Sequence, residues 1–129
     1  EDLADIRNKI QLNIQTDCCI YFDEAQLRQV LINLIRNAIR HNDIDMPHIE
    51  VNIYPHEQKM WLDVRDFGQG VAIQHQASLF QPFFSTEITG TGLGLYLAHS
   101  FCEANQAQLT YVEQQRGACF RLSCQRAVL

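Results

Sequence analysis

One long amphipathic segment, from Glu24 to His41, limits the folds that are open to this chain. Its apolar residues follow the i, i+3, i+4, i+7 spacing of a single buried helix face, at Leu27, Val30, Leu31, Leu34, Ile35 and Ala38. Asp23 is placed to cap the start of this helix, and Asn42-Asp43 ends it, with Pro47 just beyond. Because a helix with one apolar face must pack against other elements, this segment predicts one layer of a layered fold.

Short segments of alternating apolar and polar residues predict the other layer, a sheet. We expect strands over Lys9 to Ile14, Ile49 to Ile53 and Met60 to Val64, with a turn near Pro55-His56-Glu57, and Cys18 to Phe22 could form a further strand. The C-terminal half predicts a short helix over Ala72 to Leu79, an irregular segment over Phe80 to Thr91, a helix over Leu93 to Ala104, and a hairpin of Gln108 to Glu113 with Cys119 to Cys124 that turns near Arg116-Gly117. This order predicts an α+β fold, a two-layer sandwich whose mixed, mostly antiparallel sheet carries about three helices on one face.

Length and charge narrow the class of protein. The 129 residues suit a single domain spanning residues 1–129, and because the chain begins without a methionine we expect it to be part of a longer protein. The formal net charge of −5 argues against a nucleic-acid binder that depends on phosphate contacts. No apolar run reaches the roughly 18 residues of a membrane-spanning helix. The five cysteines form no CxxC pair, so we expect buried thiols in a reducing compartment rather than a zinc site.

Two asparagines, Asn33 and Asn37, lie four residues apart on the predicted helix and therefore share one face, roughly 140° from the apolar stripe. Asparagine is a poor residue for a helix interior, so the pair suggests a function. Its amide oxygen is an uncharged ligand suited to Mg²⁺, and the neighbouring Arg40 can bind phosphate oxygens. This face is a candidate metal and phosphate site, with a simple solvated helix face as the alternative.

The loop Asp66-Phe67-Gly68-Gln69-Gly70 follows a predicted strand. Asp66 continues the parity of Leu62 and Val64, so its carboxylate is expected on the interior side of the sheet, where it needs hydrogen-bond donors. An adenine amino group is such a donor, and Gly68 and Gly70 allow the backbone to turn sharply beside a ligand. A tight turn with a helix cap is the alternative.

A second glycine-rich segment, Thr89-Gly90-Thr91-Gly92-Leu93-Gly94-Leu95, opens the second long helix. Glycines at a helix start expose free N–H groups to an anion, and the helix dipole assists. The segment therefore predicts a phosphate site, with a flexible hinge as the alternative.

Between the two glycine-rich segments, Leu79-Phe80-Gln81-Pro82-Phe83-Phe84 places three aromatic residues in a predicted loop. They could anchor a mobile lid or dock a partner, and packing under the loop as part of the core is the alternative.

The order and spacing of these four segments resemble the ATPase domain, of Bergerat fold, that is shared by sensor histidine kinases, type II topoisomerases, Hsp90 chaperones and mismatch-repair MutL proteins. The resemblance runs from about Asp23 to Cys124. The matching segments are Asn33 to Ala38 for the N box, Asp66 to Gly70 for the G1 box, Phe80 to Phe84 for the F box and Gly90 to Leu95 for the G2 box. Each is a weak signal alone, but four in this order are specific.

The resemblance implies that the chain binds ATP or ADP with Mg²⁺, and it implies a role for each matching residue. Asn37 would coordinate Mg²⁺, and Asn33 and Arg40 would support the phosphate chain. Asp66 would accept the adenine N6 hydrogen bond. The residues that would shape or flank the adenine and ribose pocket are Gly68, Gly70, Val71 and His41. Those that would wrap the phosphates are Gly90, Thr91, Gly92, Leu93 and Gly94, and the ATP lid, Phe80 to Thr89, would contribute Phe80 and Thr86.

Within this superfamily, members that hydrolyse ATP carry a Glu four residues before the metal-binding Asn, and this chain has Asn33 there. No general base for water is visible, so phosphoryl transfer to a protein acceptor fits better than hydrolysis. Three further stretches, which begin at Gly94, Cys102 and Gly117, resemble the sensor kinases of type IV pilus systems and their relatives, the nitrogen-regulation kinases. This finer resemblance implies a parent anchored in the bacterial inner membrane, with this domain in the cytoplasm, and a response regulator of the sigma-54 activator type.

Two departures from the family pattern bear on mechanism. Kinases of this branch often carry a Lys where Glu87 follows Thr86, which argues against a cationic lid contact with the γ-phosphate. None of the five histidines lies in the His-Glu-Leu/Ile-x-x-Pro context of a phosphoacceptor, so the acceptor is expected on a separate dimerisation domain and the isolated domain is expected to be monomeric. A hydrolysing ATPase of the same fold and a non-catalytic binding module that has lost ATP are the competing hypotheses.

Overall fold

A computed structural model describes residues 3–85 and 92–127, with side chains from Asp5 onward. Five strands form one sheet in the order β1-β2-β3-β5-β4. The strands are β1 Ile10–Ile14, β2 Ile49–His56, β3 Lys59–Arg65, β4 Gln108–Glu113 and β5 Ala118–Gln125. Only β1 and β2 run parallel, and the other three pairs are antiparallel. The prediction of a mixed, mostly antiparallel sheet is therefore confirmed.

The helices of the described residues are α1 Leu3–Asn8, α2 Glu24–His41, α3 Ile73–Gln76 and α4 Gly94–Ala104. α2 and α4 pack against each other and against the sheet, and their buried residues Val30, Leu34, Ala98 and Cys102 join the same core as the inward residues of β2, β3 and β5. This is the two-layer α+β sandwich that the sequence predicts. None of these helices has the length and apolar character that crossing a bilayer requires.

The ends of α2 agree with the prediction residue by residue. The Asp23 side chain accepts a hydrogen bond of 2.9 Å from the Gln26 N–H, which satisfies one of the free donors of the first turn. The Asn105 side chain accepts from the Asp23 N–H at 2.8 Å, so the end of α4 holds the start of α2. Together these bonds fix how the two helices sit beside one another.

Three predicted elements differ in the structure. Cys18 to Phe22 is not a strand: among the described residues it makes one bridge, Ile20 to Arg126, and the cap of α2 follows at Asp23. The β2–β3 turn lies at Glu57-Gln58, one to two residues later than expected, with Glu57 at φ 56°. The helix predicted over Ala72 to Leu79 is helical only over Ile73–Gln76, since the next hydrogen bonds span three residues and continue it as turns. The sequence did not predict α1.

The sheet face opposite α2 and α4 carries a polar network. Arg121 on β5 donates to Asp63 on β3 at 2.9 and 3.2 Å, and Tyr54 on β2 donates to the same carboxylate at 2.7 Å. The Arg121 guanidinium also lies over the Trp61 ring, at 4.2 Å from its centroid. These contacts join the three central strands on the side away from the helices.

Candidate functional site

A cavity of about 510 Å³ opens between α2, the loop after β3 and the start of α4. It brings together segments that are far apart in sequence. Nine residues predicted for the site line it: Asn33, Asn37, Arg40, His41, Asp66, Gly70, Val71, Gly92 and Gly94. The four segments identified in the sequence therefore meet at one place, which none of them could establish alone.

Six other predicted site residues are placed differently. Thr86, Gly90 and Thr91 lie outside the described residues. Gly68, Phe80 and Leu93 are described but do not line the cavity. Leu93 is the N-cap residue of α4. Phe80 lies behind the cavity wall, stacked on His99 at 4.8 Å and edge-on to Phe120 at 6.1 Å between ring centroids. Phe120 itself lines the cavity, so Phe80 supports the wall rather than forming it.

Gly68 shapes the site through a close backbone approach. A Cβ added there would overlap the carbonyl oxygen of His41, the last residue of α2. The loop after β3 can therefore lie directly against the end of α2 only because this position has no side chain. Asn42 extends the same contact, since its side-chain oxygen accepts from the Phe67 N–H at 2.8 Å.

Asp66 is the buried acid of the site, with 2% of its surface exposed. Its Oδ1 accepts from the backbone N–H groups of Gly68 at 2.9 Å and Ala118 at 3.3 Å. Burial raises the pKa of this carboxyl above its ordinary value, and the two backbone N–H groups and the charges of His41 and Arg65 oppose that rise. No donor among the described residues bonds to Oδ2, so that oxygen can accept from a ligand in the cavity.

The two asparagines of α2 differ in what they contact. Asn33 donates from Nδ2 to the backbone oxygen of Gly94 at 3.1 Å and accepts from Gln29 Nε2 at 3.0 Å, so it ties α2 to the start of α4. Asn37 lies one turn further along and lines the cavity. Its side chain has no hydrogen-bond partner within residues 3–85 and 92–127. Its amide oxygen is the one available to a metal ion or a ligand.

The three aromatic residues of the segment Leu79 to Phe84 have different surroundings. Phe84 lines the cavity, Phe80 packs behind its wall, and Phe83 has 76% of its surface exposed. The Phe83 N–H donates to the Gly92 carbonyl at 2.9 Å, and Gly92 takes φ 75°, where a Cβ would overlap the Phe83 backbone. This bond joins the two ends of the segment that runs from Phe84 to Thr91.

Sequence reasoning missed about half of the lining. The residues to which it gave no individual role, although some lie in the matching segments, are Arg36, Ala72, His75, Leu79, Phe84, Ser85, Leu95, Ala118 and Phe120. Arg36 carried a usable signal, because it lies three residues after Asn33 and four before Arg40 on the same helix. Ala118 and Phe120 carried none, since only the pairing of β5 with β3 brings them beside Asp66.

The described residues contain no cluster of three or more His, Cys, Asp or Glu side chains that could hold a metal ion. A cation at this site would therefore take its remaining ligands from a bound ligand or water. Mg²⁺ commonly does so, with one or two protein ligands and the oxygens of a phosphate chain. Asn37 fits that role, because its side-chain oxygen is a hard ligand and accepts no hydrogen bond from any described residue.

Comparison with known proteins gives one consistent picture. Residues 22–127 match the family described as histidine kinase-, DNA gyrase B- and HSP90-like ATPases. The sensor protein kinase PilS of Pseudomonas aeruginosa is 38% identical over 128 residues, covering 92% of this chain but only 24% of that protein. Among solved structures, the Acinetobacter baumannii histidine kinase AdeS is 27% identical with a TM-score of 0.76, covering 97% of this chain and 59% of that one. The catalytic domain of histidine kinase ThkA is 26% identical with a TM-score of 0.78, covering 95% and 84%.

Proposed function

The chain belongs to the histidine kinase-, DNA gyrase B- and HSP90-like ATPase family, as the ATP-binding catalytic part of a sensor histidine kinase, and we propose that it binds Mg·ATP and transfers the γ-phosphoryl group to a histidine of its own kinase. We assign the acceptor to a separate dimerisation domain, because none of the five histidines lies in the His-Glu-Leu/Ile-x-x-Pro context of a phosphoacceptor. The chain spans about a quarter of the length of PilS. Residues 1–129 form a single catalytic domain that is monomeric by itself.

One observation carries this proposal: a buried carboxylate and a polar helix face line the same cavity. Asp66 keeps Oδ2 for the N6 amino group of adenine, in a pocket shaped by Gly68 and Gly70 and flanked by Val71 and His41. A carboxylate is an acceptor only, so it favours an amino group over the carbonyl that guanine carries at the equivalent position.

The phosphate chain lies toward the start of α4. Gly92 and Gly94 line the cavity there, where the first turn of a helix has N–H groups without intrahelical partners that suit an anion. We assign the remaining phosphate contacts to Gly90, Thr91 and Leu93 and, from α2, to Asn33 and Arg40. We assign the ATP lid to the segment from Phe80 to Thr89, with Thr86, and the Phe83–Gly92 bond ties this segment to the glycine-rich segment before α4.

Asn37 is the residue that would hold Mg²⁺, since its side chain lines the cavity. When bound, the ion neutralises charge on the phosphate chain. The protein contributes orientation: the amide of Asn33 is held by Gly94 and Gln29, so the start of α4 and the polar face of α2 are fixed relative to each other before ATP binds.

Asn33 also favours transfer over hydrolysis. An amide cannot take a proton from water, and Asn33 stands where hydrolysing relatives carry a Glu. Among the described residues, Asp66 is the only carboxylate that lines the cavity, and it lies at the adenine end. The phosphorylated kinase then passes the group to a response regulator of the sigma-54 activator type, in a parent anchored in the inner membrane with this domain in the cytoplasm.

The test is calorimetric titration of ADP and of a non-hydrolysable ATP analogue into the domain, with and without Mg²⁺. We expect saturable binding of both nucleotides that weakens without the metal. Absence of binding by either nucleotide in both conditions would contradict the proposal, because the cavity would then be a remnant in a non-catalytic module.

A further inference from the structure

Arg36, which sequence reasoning left unassigned, lines the nucleotide cavity from α2. We propose that Arg36 binds the terminal phosphate of ATP and is the residue that lets this site distinguish ATP from ADP. The inference rests on the proposed function and adds a specificity-determining residue to it.

The Arg36 side chain is not engaged elsewhere among the described residues. Ion pairs with carboxylates engage Arg28, Arg116 and Arg121. The Arg36 side chain is instead exposed, and within residues 3–85 and 92–127 it makes neither an ion pair nor a hydrogen bond. A guanidinium carries five N–H donors in a planar fork that suits phosphate oxygens. Its donors are therefore available to a ligand in the cavity that it lines.

The charge of the cavity lining differs in sign from the net charge of the chain. The chain as a whole carries a formal charge of −5, yet the described lining of the cavity has two arginines, Arg36 and Arg40, against one carboxylate, Asp66. The segment from Gln81 to Leu93 supplies no positively charged side chain, because Glu87 is its only charged residue. Besides the metal ion, the arginine side chains of the described lining that can neutralise the phosphate chain therefore lie on α2.

Arg36 and Arg40 lie at different distances along α2 from the start of α4. His41 lies against the adenine loop, since Gly68 packs on its carbonyl, and Asn33 lies at the start of α4, since it bonds to Gly94. Arg36 is three residues from Asn33, a rise of about 4.5 Å, whereas Arg40 is seven residues away, about 10.5 Å. Arg40 therefore lies near the inner phosphates and Arg36 near the far end of the chain, where ATP has a phosphate and ADP has none.

The test compares the affinities of ADP and of a non-hydrolysable ATP analogue, both with Mg²⁺, in Arg36→Ala, Arg36→Lys and Arg28→Ala. Arg28 is on the same helix but pairs with Glu24 and does not line the cavity, so Arg28→Ala is the matched control. We expect Arg36→Ala to weaken the ATP analogue by about ten- to a hundredfold, the value of a charged hydrogen bond, and ADP by less than about threefold. Arg36→Lys should recover part of the loss, and Arg28→Ala should match the wild type.

An equal loss for both nucleotides in Arg36→Ala would overturn the proposal, because the residue would then contact the inner phosphates or act through the fold. Unchanged affinity for the ATP analogue would also overturn it. Failure of the wild-type domain to bind ADP would instead contradict the proposed function, and the assignment of Arg36 with it.

Discussion

The side-chain oxygen of Asn42 accepts a 2.8 Å hydrogen bond from the backbone N–H of Phe67, which joins the end of α2 to the loop that begins at Asp66. This bond holds the Asp66 end of the cavity at a set distance from the polar face of α2. Asn42→Ala should therefore weaken ADP binding by roughly three- to tenfold and destabilise the domain by about 1 kcal/mol, the usual value of one hydrogen bond. Asn42→Asp keeps the acceptor for the Phe67 N–H but loses the amide donor that contacts the carbonyl oxygens of Met46 at 3.4 Å and His48 at 3.5 Å. It should therefore bind ADP more tightly than Asn42→Ala in calorimetry while staying below the wild type in denaturant unfolding.

Asp66→Asn should separate binding from stability. The amide presents a donor where adenine also donates, so affinity for ATP should fall by at least about thirtyfold. Because the folded pKa of Asp66 is raised above 3.8, its ionised form destabilises the nucleotide-free domain. The protonated Asp66 carboxyl stabilises the folded state relative to the ionised one. This contribution is fully present below pH 3.8 and is lost as the pH rises through the folded pKa of Asp66. At neutral pH the nucleotide-free Asp66→Asn variant should therefore melt no lower than the wild type, and a lower Tm would contradict this.

Gly68→Ala should damage the fold at the site. Its Cβ would overlap the backbone oxygen of His41, and no flexible side chain can move aside there. We expect a loss of stability of several kcal/mol, or a displaced loop with lost ADP binding, measured by urea unfolding and titration. Gly94→Ala is the matched control, because a Cβ at Gly94 meets nothing within 4 Å and alanine favours a helix. An equal loss of stability in both variants would show that Gly68 is not placed as described.

Asn37→Ala should remove the effect of Mg²⁺ on nucleotide binding. The wild type should bind ADP more tightly with the metal, and the variant should show little difference with or without it, since the protein ligand is gone. Calorimetry with and without Mg²⁺ measures this directly. Asn33→Ala should instead keep most of the metal effect, because the Asn33 amide is bonded to Gly94 and Gln29.

Tyr54→Phe should change stability at alkaline pH. The Tyr54 hydroxyl donates to Asp63, and burial together with that acid raises the pKa of Tyr54 from 10.0 to about 12. The resulting stabilisation is complete below pH 10 and is lost as the pH rises through about 12. Urea midpoints measured across this range should fall less steeply in Tyr54→Phe than in the wild type. Buried thiols such as Cys102, whose pKa burial raises to about 12, titrate in the same range, so the difference between variant and wild type is the decisive quantity.

Local patterns predicted the elements whose signals are local. The bounds of α2 were found at Glu24 and His41 because an apolar stripe and its caps are all contained in one continuous segment. The β4–β5 hairpin was predicted for the same reason. The strand considered for Cys18 to Phe22 is absent, because an apolar run indicates burial but not pairing. The one bridge that this segment makes with the described residues is to Arg126, more than a hundred residues away.

At the site, residue chemistry and spacing were enough to identify Asn37, Asp66 and the glycines as candidates. An amide in a helix interior and a carboxylate on the inner side of a sheet are both costly, and glycines clustered at turns allow close backbone approach, so each predicts a role. Only the tertiary structure decided which of them are available to a ligand. It bonds Asn33 to Gly94 and leaves Asn37 open, and it places Phe80 behind the wall that Phe120 forms. The physical reason is that these outcomes depend on the packing of α2 on α4 and on the register of β5, which join residues that no periodicity along the chain relates.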